Sequence, residues 1–163
     1  MWTALLIAWL TLAHGGVPRL DGVWDLDQEA SQSLDPVLVL QGASWLERKV
    51  AGRLDITQTI RAVEEGYVIT LASSVYERRF EAMPDGVVRP YSAERINARS
   101  LKTTWEGEVL VTETVLILGD GSIAHAREER RLLDPHTLEM MIVLVPEGQE
   151  ALRVQRIFRL VTR

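Results

Sequence analysis

The sequence predicts an all-β domain of about ten antiparallel strands, connected up and down and curled into a barrel. A short helix-turn-helix lies between the first and second strands. Three observations predict this. From Leu54 onward apolar and polar residues alternate with a period of two almost without interruption. The alternating runs are separated by a few residues rich in Gly, Pro, Asp and Glu, the spacing of hairpins rather than crossovers. One stretch, Ser33 to Gly52, breaks the pattern and reads as helix. So many consecutive antiparallel strands cannot remain flat, because twist and exposed edges work against it, and closure is the usual outcome.

The elements follow in order. "LDGVWDLD" is a short first strand. In "SLDPVLVLQGASWLERKVAG", Ser33 is a candidate cap and Pro36 suits a first helical turn. Gly42 interrupts, and a second helical piece from Ala43 to Ala51 is closed by Gly52. "LDITQTIRAV" and "YVITLASSV" are strands joined across "EEG". "YERRFEA" is shorter and stops at Pro84-Asp85-Gly86, a strong turn signal. "VVRPYS" is broken by Pro90, which suits an edge and not a central strand. "RINARSLKTTW", "EVLVTETVLIL", "SIAHAREERRLL", "LEMMIVLV" and "LRVQRIFRLVTR" complete the chain, divided by "EG", "GDG" and "DPHT" among other short links.

At 163 residues the chain suits one domain with a sizeable core. A formal net charge of −5, with arginines interleaved among acids, argues against a nucleic-acid partner, which would need a basic face. There is no cysteine, hence no disulfide framework, thiolate metal site or cysteine nucleophile. The uncharged stretch "MWTALLIAWLTLAHGG" carries a 12-residue run, Trp2 to Ala13, too short to span a bilayer as a helix. Its length and the small residues at "AHG" fit a signal peptide over residues 1–16, leaving a domain over 17–163 and no transmembrane segment after removal. That predicts a secreted or periplasmic protein. Without Lys or Arg in the n-region, the alternative is an apolar segment packed on a cytoplasmic domain. The sequence leaves the oligomeric state open.

Catalysis finds little support. His125 and His136 lie apart with no carboxylate at ligand spacing, and His14 falls in the leader, so a metal site is not expected. There is no Gly-x-Ser-x-Gly elbow and no phosphate loop. No cofactor is predicted. A desolvated Glu113 acting as a general base is all that an enzyme would rest on.

The order of strand, helix-turn-helix and nine strands resembles the fatty-acid-binding protein family, the intracellular lipid-binding branch of the calycins. "GVW" at Gly22 to Trp24 is similar to that family's opening motif, and "WLERKVAG" to the end of its second helix. "QRIFRL" is similar to its terminal strand, where an Arg-x-Tyr pair reaches into the cavity and holds the ligand's carboxylate. The resemblance implies a reversible binder or carrier of a small hydrophobic or amphipathic ligand, of fatty-acid or lipid class. It implies Arg156 as polar anchor, with Phe158 standing where the family has tyrosine. Glu113 stands where many members have a second polar or basic residue. The helical pair would be the portal.

Arg156 is the sharpest feature of the sequence itself. In "LRVQRIFRL" it shares a face with Val154, Phe158 and Leu160. A guanidinium on a core face is costly unless paired. It could hold a ligand carboxylate, pair with Glu113, or face solvent in a shifted register. Alternation does not fix the inward face of Glu113's own strand, since Val109, Val111, Val115 and Ile117 oppose Leu110, Thr112, Thr114 and Leu116. Gln58 (with Ile56 and Ile60), Arg78 with Phe80, and Trp45 on the helical pair complete the candidate ligand-binding residues. Two alternatives remain: a filled, ligand-free barrel serving as a structural or partner-binding module of the cell envelope, and an isomerase- or hydrolase-like use of the cavity.

Overall fold

A computed structural model describes residues 18–92 and 97–162. The predicted leader therefore lies outside the described residues, as does the start of "RINARSLKTTW". The elements are β1 (Gly22–Asp27), α1 (Asp35–Leu40), α2 (Trp45–Ala51), β2 (Thr57–Val63), β3 (Gly66–Ala72), β4 (Glu77–Ala82), β5 (Arg89–Pro90), β6 (Ala98–Glu106), β7 (Val109–Ile117), β8 (Ile123–Asp134), β9 (Thr137–Pro146) and β10 (Leu152–Thr162). They form one antiparallel sheet in the order β4-β3-β2-β1-β10-β9-β8-β7-β6-β5, curled into a half-barrel. β1 is the hinge of this order. It pairs with β2 on one side and with β10, the last strand, on the other.

The row ends at β4 and β5, which share no backbone ladder. Side chains cross the seam instead. Arg78 Nε donates to the Tyr91 hydroxyl at 3.0 Å, and the Phe80 and Tyr91 rings meet edge to face at 6.2 Å. β5 is only two residues long because Pro90 has no N–H to offer a ladder.

The interior holds two apolar layers. One gathers Leu20, Trp24, Ile60, Ile69, Phe80, Leu110, Leu138 and Phe158 at the end away from the helices. Trp24 is fully buried there, its indole N–H donating to the Leu20 carbonyl at 3.0 Å. The second layer lies under α1, where Val37 packs with Leu116, Ala124, Leu144 and Val154.

Leu34, not Ser33, is the N-cap of α1 and supplies no side-chain cap. Ser33 Oγ accepts from the Asp35 amide at 3.2 Å. Ser44 caps α2 in a reciprocal box with Glu47. Trp45, expected among the ligand-binding residues, is exposed together with Leu46 and Val50, and α2 buries nothing. Of the two helices α1 alone fully buries a side chain, Val37, with Leu40 partly buried against the same layer. The turn after α1 presses on the β7–β8 turn, where a Cβ on Gly119 would stand 2.6 Å from the Gly42 Cα.

Candidate functional site

Between the two apolar layers the inner face turns polar. Along β8 the inward residues run Ala124, Ala126, Glu128, Arg130, Leu132. Along β10 they run Val154, Arg156, Phe158, Leu160. Register places Arg156 and Arg130 on either side of Met140 of β9, so their backbones stand two strand spacings apart, about 10 Å.

Glu128 is the hub. Its Oε1 accepts from Arg78 Nη1 at 2.5 Å and its Oε2 from Arg130 Nη2 at 2.7 Å. Arg130 Nε also donates to Gln58 Oε1 at 2.7 Å. The Arg78 guanidinium lies 4.7 Å from the centre of the Phe80 ring. Gln58, Arg78 and Phe80, expected from alternation to line the interior, thus come together around a carboxylate. Glu128, Arg130 and Tyr91 were not among the expected site residues. The signal was present: two charges on a face otherwise Ala, Ala and Leu.

Burial and charge set the electrostatics. Burial pushes the Glu128 carboxyl up, but Arg78 and Arg130 outweigh it and hold it at about 2. Burial, with Arg78 nearby, lowers Arg130 despite the opposing pull of Glu128. Arg78 is lowered by burial, yet Glu128 and the Tyr91 hydroxyl carry it above its ordinary value. The Arg156 guanidinium is lowered by burial alone. Among the described residues, three inward guanidiniums therefore face one inward carboxylate, and the carboxylate is spoken for by two of them.

Arg156 is the third. Its Nη1 donates to the Gln32 carbonyl at 2.6 Å, and among the described residues no carboxylate pairs with it. Arg156 and Arg78 keep 9% of their exposure and Glu128 keeps 13%, while Arg130 and Gln58 keep none. Gln58 Nε2, Arg130 Nη1 and the Thr103 and Thr112 hydroxyls are buried and find no partner among the described residues. Phe158 is buried in the apolar layer beyond Arg156 and brings no hydroxyl to it.

Two expected site residues lie elsewhere. Glu113 points outward from β7 and bonds Lys102 Nζ at 2.9 Å, with Arg127 Nη1 at 3.9 Å. The inward residues of that strand are Leu110, Thr112, Thr114 and Leu116. No Glu113–Arg156 pair forms, and a general base inside the barrel loses its candidate. Trp45 is 62% exposed, with Lys49 Nζ 4.3 Å from its ring centre, so it lines no interior surface. A groove of about 540 Å³ near Pro18, Arg131 and Asp134 lies apart from the polar layer and includes none of its members. Among the described residues no group of His, Asp or Glu is placed to hold a metal ion, and no helix is long and apolar enough to cross a membrane.

No protein-family model matches the sequence. No curated protein matches it either. Solved structures do. The chain is similar to the REP1-NXSQ fatty acid transporter, with 17% identity and a TM-score of 0.65 over 87% of this chain and 96% of that one. It is similar to apo lipid binding protein 8 of Caenorhabditis elegans, with 15% identity and a TM-score of 0.69 over 86% and 94%. It is also similar to fatty-acid-binding protein 1 of Echinococcus granulosus, with 14% identity and a TM-score of 0.64 over 87% and 97%. The fold is that of the fatty-acid-binding proteins, and these neighbours are named as binding or transport proteins.

Proposed function

We propose that the protein reversibly binds or carries a small hydrophobic or amphipathic ligand, of fatty-acid or lipid class, inside the half-barrel, with Arg156 as its polar anchor. It works as a binder and not as a catalyst. The observation that carries this is the state of Arg156: an inward guanidinium, largely buried, satisfied by one backbone carbonyl and by no carboxylate. Such a group gains most from an anionic partner, and its planar fork matches a carboxylate.

The inner face supports a site on the helix side of the polar layer. Ala126 and Ile142 keep partial exposure there, whereas Trp24, Leu110, Leu138 and Phe158 beyond it keep almost none. Each methylene buried in that space contributes about 0.8 kcal/mol, so one charged anchor suffices for micromolar affinity. The names of the similar solved structures point the same way. The uncharged 16-residue start of the chain fits an exported carrier.

The test is calorimetric titration of hexadecanoate into the protein and into Arg156→Ala. Loss of a charge-assisted contact predicts an affinity lower by about tenfold or more. Equal affinity of the two proteins would remove Arg156 from the site. The dry far layer favours one second reading, a filled barrel acting through its outer surface in the cell envelope. Native mass spectrometry separates the two: a clean apo mass with no lipid uptake supports the filled barrel.

A further inference from the structure

We propose that Gln32 is a positioning residue for the Arg156 anchor and makes capture of an acidic head group and docking of the helical lid one coupled event. The inference rests on the lipid-binding reading above and deepens it. Gln32 lies in the link between β1 and α1, three residues before the helix begins. That link is laid along β10. The Gln32 amide donates to the Gln155 carbonyl at 2.9 Å, and the Gln155 amide donates to Gln32 Oε1 at 2.8 Å. Gln32 is therefore clamped, by backbone and side chain, to the residue that precedes the anchor. Its own carbonyl then accepts from Arg156 Nη1 at 2.6 Å.

This contact leaves a defined part of the guanidinium free. With one Nη1 proton held, the Nε–Nη2 edge remains for a bidentate carboxylate, the geometry in which arginine binds such groups best. An arginine on a free stem loses rotamer entropy when it captures a ligand. Here the Gln32 carbonyl has already taken much of that loss. Five residues on, Val37 of α1 packs in the same layer as Val154, two positions before the anchor on β10. The anchor, the link and the buried foot of the lid thus sit on one short stretch of β10. A carboxylate that orders the guanidinium also strengthens its grip on the Gln32 carbonyl and slows opening of the link. A ligand without a carboxylate has no such handle.

The experiment compares hexadecanoate with hexadecanol, the same chain without the anionic head, on the full chain and on Gln32→Ala. In the unmodified protein, hydrogen exchange at the Gln32 and Gln155 amides slows when hexadecanoate binds and is unchanged when hexadecanol binds. In Gln32→Ala, hexadecanoate affinity falls about tenfold and hexadecanol affinity stays within about twofold. Gln32→Glu, which retains a side-chain acceptor for the Gln155 amide, restores most of the hexadecanoate affinity. A merely structural role would lower both affinities alike, as expected of Ser44→Ala, which uncaps α2 without touching the anchor. Equal losses for the two probes, or equal protection by them, would overturn the coupling while leaving the binding reading intact. Binding of neither probe to the unmodified protein would instead overturn the binding reading, and the coupling with it.

Discussion

Glu128→Gln tests the buried hub directly, and pH supplies the internal control. The substitution keeps the shape of the side chain and removes the one inward negative charge between Arg78 and Arg130. In the folded protein the Glu128 carboxyl titrates at about 2, against an ordinary value of 4.5. A depressed folded pKa contributes stability that is fully present above the unfolded value and is lost as pH falls toward the folded one. A shift of this size corresponds to about 3 kcal/mol at neutral pH, with 1.36 kcal/mol per pH unit. Direct accounting agrees. Breaking a buried pair by removing one partner costs about 3–5 kcal/mol, because the remaining charge is left dry, and Arg130 would retain only Gln58. The assay is urea unfolding followed by tryptophan fluorescence at several pH values. The gap between the two proteins is expected to be about 3 kcal/mol at pH 7 and under half of that by pH 3, narrowing because protonated Glu128 and Gln are alike in charge. The exposed acids of the surface are common to both proteins and cancel in the difference. A gap below about 1 kcal/mol at pH 7, or one that does not narrow in acid, would refute a charged Glu128 shared by two arginines.

Two further predictions concern positions where sequence and structure part or meet. Glu113→Gln should leave hexadecanoate affinity unchanged and cost no more than about 1 kcal/mol in the same urea assay, since its bond to Lys102 lies on the outer face. Gly119→Ala should destabilise the lid, because the added methyl would meet the Gly42 backbone at 2.6 Å and neither chain can yield without moving a turn. Hydrogen exchange across Asp35–Leu40 should rise in that variant, while the far layer around Trp24 stays protected.

The strands were legible because alternation reports a sheet with one dry face, and Pro90 and Pro84-Asp85-Gly86 fixed where strands had to weaken or end. Arg156 stood out because its three neighbours on that face are apolar. β7 was not legible in the same way. Its outward residues include Val109, Val111, Val115 and Ile117, and Val111 is fully buried between Thr104 of β6 and Glu129 of β8. Its inward residues include Thr112 and Thr114. With both faces half apolar, only the register with β6 and β8 decides, and register is a property of the pairing and not of one strand. Glu128 and Arg130 could have been found by reading "AHAREERRLL" with a period of two. Five charged residues in succession look like a solvated surface, and that is true only of alternate ones. Trp45 misled for a different reason: a helix of seven residues has little face to bury, and Val37 of α1 already fills the contact beneath the lid.

The seam between β4 and β5 bears on how the molecule behaves in a crowd. A sheet that does not close offers two raw borders to any other extended chain, and such borders invite stacking into larger aggregates. On one border the side chains that point away from the interior are Glu77, Arg79 and Glu81, all exposed and alternating in sign. On the other the border is two residues long and one of them is Pro90, which cannot donate. Arg78 and Tyr91 pin these borders near each other. A sheet left open at this seam is thereby made a poor template for copies of itself.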